Sequence, residues 1–168
     1  MFYDGVFEFP VTSSVTVAPA SLGRVVEDGK GNKFLCCKTE STSVAIVAGG
    51  CVAHKSAASF HYIITPDFSH SKSFLALGMA MSAVAASTTA YIWVMTDGFP
   101  GHYNSVVANI RTDQSVAANQ YLVFRADGVF GSRVADVTST AITGYLGIAL
   151  ATDTSNQLST NRVIIGKR

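Results

Sequence analysis

The sequence predicts an all-β fold, a compact β-barrel or β-sandwich built from two degenerate strand-loop-strand repeats, with little helix. Three observations predict it. Apolar runs are short, rich in Val, Ile, Tyr, Phe and Thr, and separated by Gly, Asn, Asp or Ser, the punctuation of strands and turns. No long stretch repeats its apolar residues at the 3.6-residue period of an amphipathic helix. One apolar pattern also occurs twice at matched spacing, a sign of internal duplication.

The elements follow in chain order. Residues 1–20 read as an extended arm, because Pro10 and Pro19 discourage helix, and residues 21–168 as a single β domain. "GRVVED" from Gly23, the turn "GKGN", and "KFLCCKT" from Lys33 form a hairpin, with Gly and Asn supplying positive φ. "SVAIVAGG" (43–50) is expected as a strand ending at a double Gly, and "CVAHK" as a short strand after it. "FHYIIT" (60–65) stops at Pro66, which has no N–H to give a central ladder. "YIWVMTDG" (91–98) and "NQYLVFRADG" (119–128) are strands closed by Asp-Gly, and "GYLGIAL" and "RVIIG" complete the chain. "MSAVAASTTA" has enough Ala for a turn or two of helix and no more, given its Ser and Thr.

The duplicated pattern is L-G-[apolar]-A-[apolar], at Leu77-Gly78-Met79-Ala80-Met81 and Leu146-Gly147-Ile148-Ala149-Leu150. Ala80 precedes Val94 by 14 residues and Ala149 precedes Val163 by 14. Taking "KFLCCK" and "QYLVFR" as the upstream strands gives half-repeats of about 23–98 and 107–166, the first with an insertion of about eighteen residues, which a loop absorbs at small cost. Gly inside the box marks a bend or a close backbone approach.

The duplication decides how to read Phe74–Met95, which carries no charge and is long enough, at about 20 residues, for a membrane span. Its counterpart, "YLGIALATDTSNQLSTNRVII", carries Asp153 and Arg162 at the same spacing, so the shared plan is strand, loop, strand, with no membrane. The uncharged loop of the first copy, residues 82–89, is expected to pack against a neighbour, while the charged copy faces solvent.

Composition narrows the function classes. Of 168 residues 14% are charged, against about 25% in an average soluble protein, and the net charge is +1 with Lys and Arg scattered. That excludes a basic nucleic-acid face and suits a protein living in an assembly, where few charges need desolvation. The N-terminus lacks the basic and apolar regions of a secretory signal. Cys36, Cys37 and Cys51 are odd in number and lack Cys-x-x-Cys spacing, so free buried thiols are expected, with Cys36 and Cys37 on opposite faces of one strand.

Catalytic, metal and cofactor residues are not expected. His54, His61, His70 and His102 fit no zinc spacing, and "DGKGN" lacks the later carboxylates of a calcium loop. Nucleophile elbows and phosphate loops are missing. Tyr91 and Trp93 alternate along one strand and so share a face, with Ile92 and Val94 on the other. That aromatic pair is expected in a core or subunit interface; a ligand-stacking platform is the other use.

"YIWVMTDGF", "VAANQYLVFRADGVFG", "GYLGIALATDT" and "RVII" together resemble the small β-rich head decoration, or cement, proteins of tailed phages, over residues 74–165. Ala118-Asn119 departs from the Gly usual there. The resemblance implies a non-enzymatic virion subunit on the capsid surface, made in the host cytoplasm. It would bind the major capsid protein as a homo-oligomer, a trimer foremost. The arm is then expected to be poorly ordered in the free subunit and to dock on a neighbour on assembly, with Phe2, Tyr3, Phe7 and Phe9 as anchors; Tyr91 and Trp93 are the other interface candidates. The rival reading is a glycan- or receptor-binding module of a phage fibre or tail, using Trp93, Tyr91 and Tyr103.

Overall fold

The computed structural model describes residues 7–41, 43–55, 62–66, 76–103, 117–125, 128–132, 147–150, 152 and 163–166. The described residues are nearly all β. The strands are β1 (Val25–Glu27), β2 (Lys33–Thr39), β3 (Cys51–His54), β4 (Ile63–Thr65), β5 (Ala76–Ala80), β6 (Tyr91–Asp97), β7 (Tyr121–Arg125), β8 (Val129–Ser132), β9 (Gly147–Ala149) and β10 (Val163–Ile165). A short 3-10 turn, Pro100–His102, follows β6.

The first six strands lie in the order β1-β2-β4-β3-β5-β6, and β6 pairs back onto β2. Five strands therefore close a barrel, with β1 attached outside the ring as the partner of β2. Every pairing in it is antiparallel except β2 with β4. The other four strands form a second sheet in the order β10-β9-β7-β8. The Gly23 hairpin forms as expected, with Glu27 opposite Lys33, and Gly31 supplies the positive φ of its turn. "SVAIVAGG" does not form a strand: its isolated β-bridge among the described residues is Ile46 to Val84. "MSAVAASTTA" is a loop.

Alternation along the strands sorts the core into two compartments. Cys37, Val52, Ile64, Ala80, Ile92 and Val94 come from all five ring strands and fill the barrel, with Ile46, Val84 and Ala90 completing the cluster. Phe34, Cys36, Cys51, Met79, Trp93 and Met95 point the other way and form a second buried layer. Leu122, Phe130, Ala149 and Ile165 from the second sheet, and Phe9 and Val11 from the N-terminal segment, cover it. Cys36 and Cys37 thus lie on opposite faces, as do Trp93 and Ile92.

The two sheets repeat one another. Ala80 pairs with Val94 and Ala149 with Val163, each residue displaced by 69 positions from its counterpart. Gly78 and Gly147 make the same close approach: a Cβ on Gly78 would strike the Met95 carbonyl oxygen, and one on Gly147 that of Ile164. Cys51 pairs with Met79 as Tyr121 pairs with Ile148, and Val52 with Gly78 as Leu122 with Gly147. His54 pairs with Ile64 as Phe124 with Phe130. The turn before the first strand of each set, β3 and β7, repeats too. Gly49 (φ 81°) and Asn119 (φ 67°) occupy the same place, and their N–H groups donate to the carbonyls of Ala80 (2.8 Å) and Ala149 (2.7 Å).

This equivalence corrects the boundaries read from sequence. The counterpart of β7 is β3, not the "KFLCCK" strand, so β3-β4-β5-β6 matches β7-β8-β9-β10 strand for strand and no eighteen-residue insertion is needed. The half-repeats accordingly begin at the turns before Cys51 and Tyr121, not near residues 23 and 107. "KFLCCK" and "QYLVFR" are alike as apolar runs, but β2 pairs with β4 and β6, whereas β7 pairs with β8 and β9. The repeats meet where Gly98 and Ile165 exchange two backbone hydrogen bonds of 2.9 Å.

Candidate functional site

The uncharged loop between β5 and β6 is the candidate docking site. Ala83 and residues 85–89 are exposed, while Met81, Ser82, Val84 and Ala90 are buried and hold the loop from below. Ile46 and Val84 exchange backbone hydrogen bonds of 3.0 and 2.9 Å. The Thr39 N–H donates to the Ala90 carbonyl (2.8 Å), the Ala90 N–H donates to Thr39 Oγ1 (2.9 Å), and the Thr39 hydroxyl reaches the Thr88 carbonyl (3.4 Å). The Thr88 N–H closes a turn onto the Ala85 carbonyl at 3.3 Å, with Ser87 left-handed at φ 58°. Small uncharged side chains on a backbone already fixed at both ends lose little entropy and desolvate no ion when covered. The charged counterpart loop lies in residues 151–162, of which only Thr152 is among the described residues.

Of the two places the sequence allowed for the aromatic pair, core or subunit interface, the structure gives Trp93 the core. Trp93 is 0% exposed. Its indole N–H donates to the Phe9 carbonyl at 3.2 Å. Phe7 meets Trp93 and Phe34 edge-on with centroids 5.1 and 5.5 Å away, and Phe9 lies tilted against Trp93 at 5.4 Å. Phe9 is buried and Phe7 packs against the same core. The segment from Phe7 onward is therefore a strap folded onto its own barrel, and Phe7, Phe9 and Trp93 are not an outward-facing interface. The physical reason is that a buried indole N–H needs an acceptor, and the strap supplies one along with apolar cover. The strap is not an interior strand: Val15 and Tyr91 make one isolated bridge. Glu8 pins it further on, accepting from the N–H groups of Ala20 (3.0 Å) and Ser21 (2.8 Å), which lowers its carboxyl from the ordinary value. Tyr91 is half-buried against this layer. Phe2 and Tyr3 lie outside the described residues. With no exposed surface and its N–H already engaged, Trp93 cannot serve as a stacking platform for a glycan.

A second polar cluster locks the β1–β2 turn to the segment after β6. Asp28 Oδ1 accepts from the N–H groups of Lys30 (2.8 Å) and Asn32 (2.9 Å). Asp28 Oδ2 accepts from Asn32 Nδ2 (2.7 Å) and from the Tyr103 hydroxyl (2.6 Å). Asn32 Oδ1 accepts from the Phe99 N–H at 2.8 Å, which fixes the amide, so Nδ2 also donates to His102 Nδ1 at 3.0 Å. Burial opposes ionisation of Asp28, but the hydrogen bonds it receives from Tyr103, Asn32 and Lys30 outweigh that and hold its carboxyl below the ordinary value. Burial and then the Asp28 carboxylate push the Tyr103 hydroxyl up. The Asp28 carboxylate, the Asn32 amide and the Tyr103 hydroxyl are spent on their neighbours, so "DGKGN" is a turn and a clasp. Asn32, which the sequence suggested for a positive φ that it does not adopt, is instead the centre of that clasp, because its amide and backbone are committed to Asp28, Phe99 and His102.

Among the described residues, the remaining reactive side chains form no common centre. Cys36, Cys37 and Cys51 are free and buried, and burial raises the thiols of Cys37 and Cys51 well above their ordinary value. Burial also raises Cys36, partly offset by the Ser21 hydroxyl and reinforced by the charge of Glu8. Among the described residues no three His, Cys, Asp or Glu side chains come together to hold a metal. His61 and His70 lie outside them. No helix among the described residues is long and apolar enough to cross a membrane. No protein-family model matches the chain, and no curated protein matches it.

The sequence singled out the β5–β6 loop by its lack of charge but missed what supports it. Thr39 reads as one more β-branched strand residue. Its role comes from a partner 51 positions away.

Proposed function

We propose that this chain is a non-enzymatic structural subunit of a phage particle, decorating and stabilising the head as a homo-oligomer bound to the major capsid protein. The observation that carries the reading is the β5–β6 loop: exposed, without charge, and braced by Thr39 and by the Ile46–Val84 bridge. Such a loop suits repeated docking on identical neighbours, where shape and apolar contact do the recognising. The resemblance of residues 74–165 to head decoration proteins and the low charge of the whole chain support the same reading. A trimer on the capsid exterior is the arrangement this reading expects.

The test is binding of the purified chain to empty expanded shells of the major capsid protein from the same genome. Saturable copy number and a raised thermal transition of the shell are expected. An Ala86→Asp variant, charged on the exposed loop, should fold normally and lose that binding. Undiminished binding of this variant would remove the loop from the docking surface, and failure of the unaltered chain to bind would overturn the reading.

A further inference from the structure

Asn32 is buried, and its side-chain amide is fully used. Oδ1 accepts from the Phe99 N–H, and the two Nδ2 hydrogens go to Asp28 Oδ2 and His102 Nδ1. Turned over, the amide would set its oxygen against the Asp28 carboxylate and its NH2 against the Phe99 N–H. Two partners therefore fix its orientation at once. His102 Nδ1, 3.0 Å from a donor, must then be the acceptor nitrogen, with the ring proton on Nε2.

A protonated imidazole carries hydrogen on both nitrogens and has no acceptor left. Its Nδ1–H would face the Asn32 NH2, donor against donor. The Asp28 carboxylate attracts a cation, but its oxygens are filled. Oδ1 accepts from the Lys30 and Asn32 N–H groups, and Oδ2 from Asn32 Nδ2 and the Tyr103 hydroxyl. Lys33 and Asp97, on the strands either side, pair with one another at 4.0 Å. β10 packs on the Pro100–His102 turn with Val163–Ile165, which carry no charge. His102 is itself exposed, so the charged ring is free to turn out into water.

The link matters because of what Asn32 touches next. A Cβ on Gly98 would strike the Asn32 side chain, so Asn32 lies directly on the Gly98 backbone. Gly98 in turn exchanges its two hydrogen bonds with Ile165 of the second sheet. The Phe99 N–H, one residue on, is held by the same amide, and the Phe99 ring lies edge-on to His102 with centroids 5.2 Å apart. One amide thus ties the β1–β2 turn, the segment after β6 and the joint between the sheets. We propose that His102 is a proton-operated latch on that joint. Neutral, it holds Asn32 and keeps the sheets locked at Gly98 and Ile165. Protonated, it releases Asn32, the Phe99 ring loses its neighbour, and the joint loosens. The latch is independent of what the chain docks on.

The experiment is amide exchange on the full chain, corrected for intrinsic rates, with nitrogen NMR of the imidazole rings. It runs from about pH 8 to about pH 5, the interval in which imidazoles gain their proton. At the upper end the His102 ring should carry its proton on Nε2. As the ring titrates, protection at Gly98, Phe99 and Ile165 should fall about 5–10-fold, what one hydrogen bond is worth. Cys37 and Ile92, paired within the barrel, should keep theirs. His102→Gln has an amide oxygen to accept from Asn32 and takes no proton, so its profile should be flat. His102→Phe has no acceptor and should show the acid level of protection throughout. A neutral ring protonated on Nδ1 overturns the latch, and so does protection that stays constant while His102 titrates. A fall that persists in His102→Gln belongs to another group, and one shared by Cys37 and Ile92 is global loosening; either overturns it. The ring spectrum and His102→Gln decide the matter even if His102→Phe does not fold.

Discussion

Gly78 sits so close to the carbonyl oxygen of Met95 on the neighbouring strand that a side-chain carbon would collide with backbone, and Gly147 repeats that contact against Ile164. Backbone cannot swing aside as a flexible side chain can, so Gly78→Ala and Gly147→Ala must push paired strands apart. Each is expected to destabilise by about 1–3 kcal/mol or more, the usual cost of overpacking. Gly29→Ala, at a turn position with nothing within 4 Å and no positive φ, should stay within about 0.5 kcal/mol. Chemical denaturation of the three variants checks this, and equal stability of all three would contradict the duplicated close approach.

Trp93 is the chain's one tryptophan, so its emission reports the strap directly. In the intact protein it should be blue-shifted by burial. Phe9→Ala removes a buried ring beside it and should cost about 3–5 kcal/mol. The emission should move to the red before global unfolding as the strap loosens. Glu8→Gln weakens only the clamp on Ala20 and Ser21, and should increase proteolysis near the strap with little change in midpoint. Emission unchanged in Phe9→Ala would show that the strap does not cover the indole.

How much of this was legible beforehand depended on how local the signal was. The spacing of 14 from Ala80 to Val94, and from Ala149 to Val163, is the pairing register itself, because a hairpin stores its register in the separation of its residues. The Gly23 hairpin was legible for the same reason. The choice between β2 and β3 as the equivalent of β7 was not, since similar apolar runs differ only in which distant strands they join. Phe7 and Phe9 were legible as anchors but not as anchors on their own barrel: nothing near them in sequence announces the acceptor-seeking indole of Trp93. "SVAIVAGG" has strand composition, yet past Ile46 its backbone turns at Gly49 to enter β3.

The Asp28 clasp predicts an acid-sensitive share of stability. Its carboxyl is held below the ordinary value in the folded chain, so its contribution is complete above the unfolded value, about 3.9, and is lost as pH falls through the lower folded value. Asp28→Asn should therefore be less stable than the unaltered chain at neutral pH, with the gap closing below about pH 4. Tyr103→Phe removes one donor to Asp28 and should cost about 1 kcal/mol at neutral pH. Midpoints measured from pH 7 downward give both curves, and a gap that stays constant into acid would rule out the carboxylate as the cause.

Thr39 is the residue through which the barrel fixes the candidate docking loop. Valine has its shape without its hydroxyl, so Thr39→Val leaves the Ala90 N–H buried without the acceptor it has at 2.9 Å. An unsatisfied buried donor costs about 1–3 kcal/mol. Because the Thr88 carbonyl loses its contact at the same time, the loss should fall on the loop more than on the barrel. Amide exchange should speed up at Thr88 and Ala90 while the β3 and β5 amides keep their protection, since local openings report local anchoring. If shell binding depends on a prefolded loop, the same variant should bind more weakly despite an unaltered exposed surface, because the loop must now be ordered on contact. Faster exchange with undiminished binding would show that the loop's surface matters to docking and its rigidity does not.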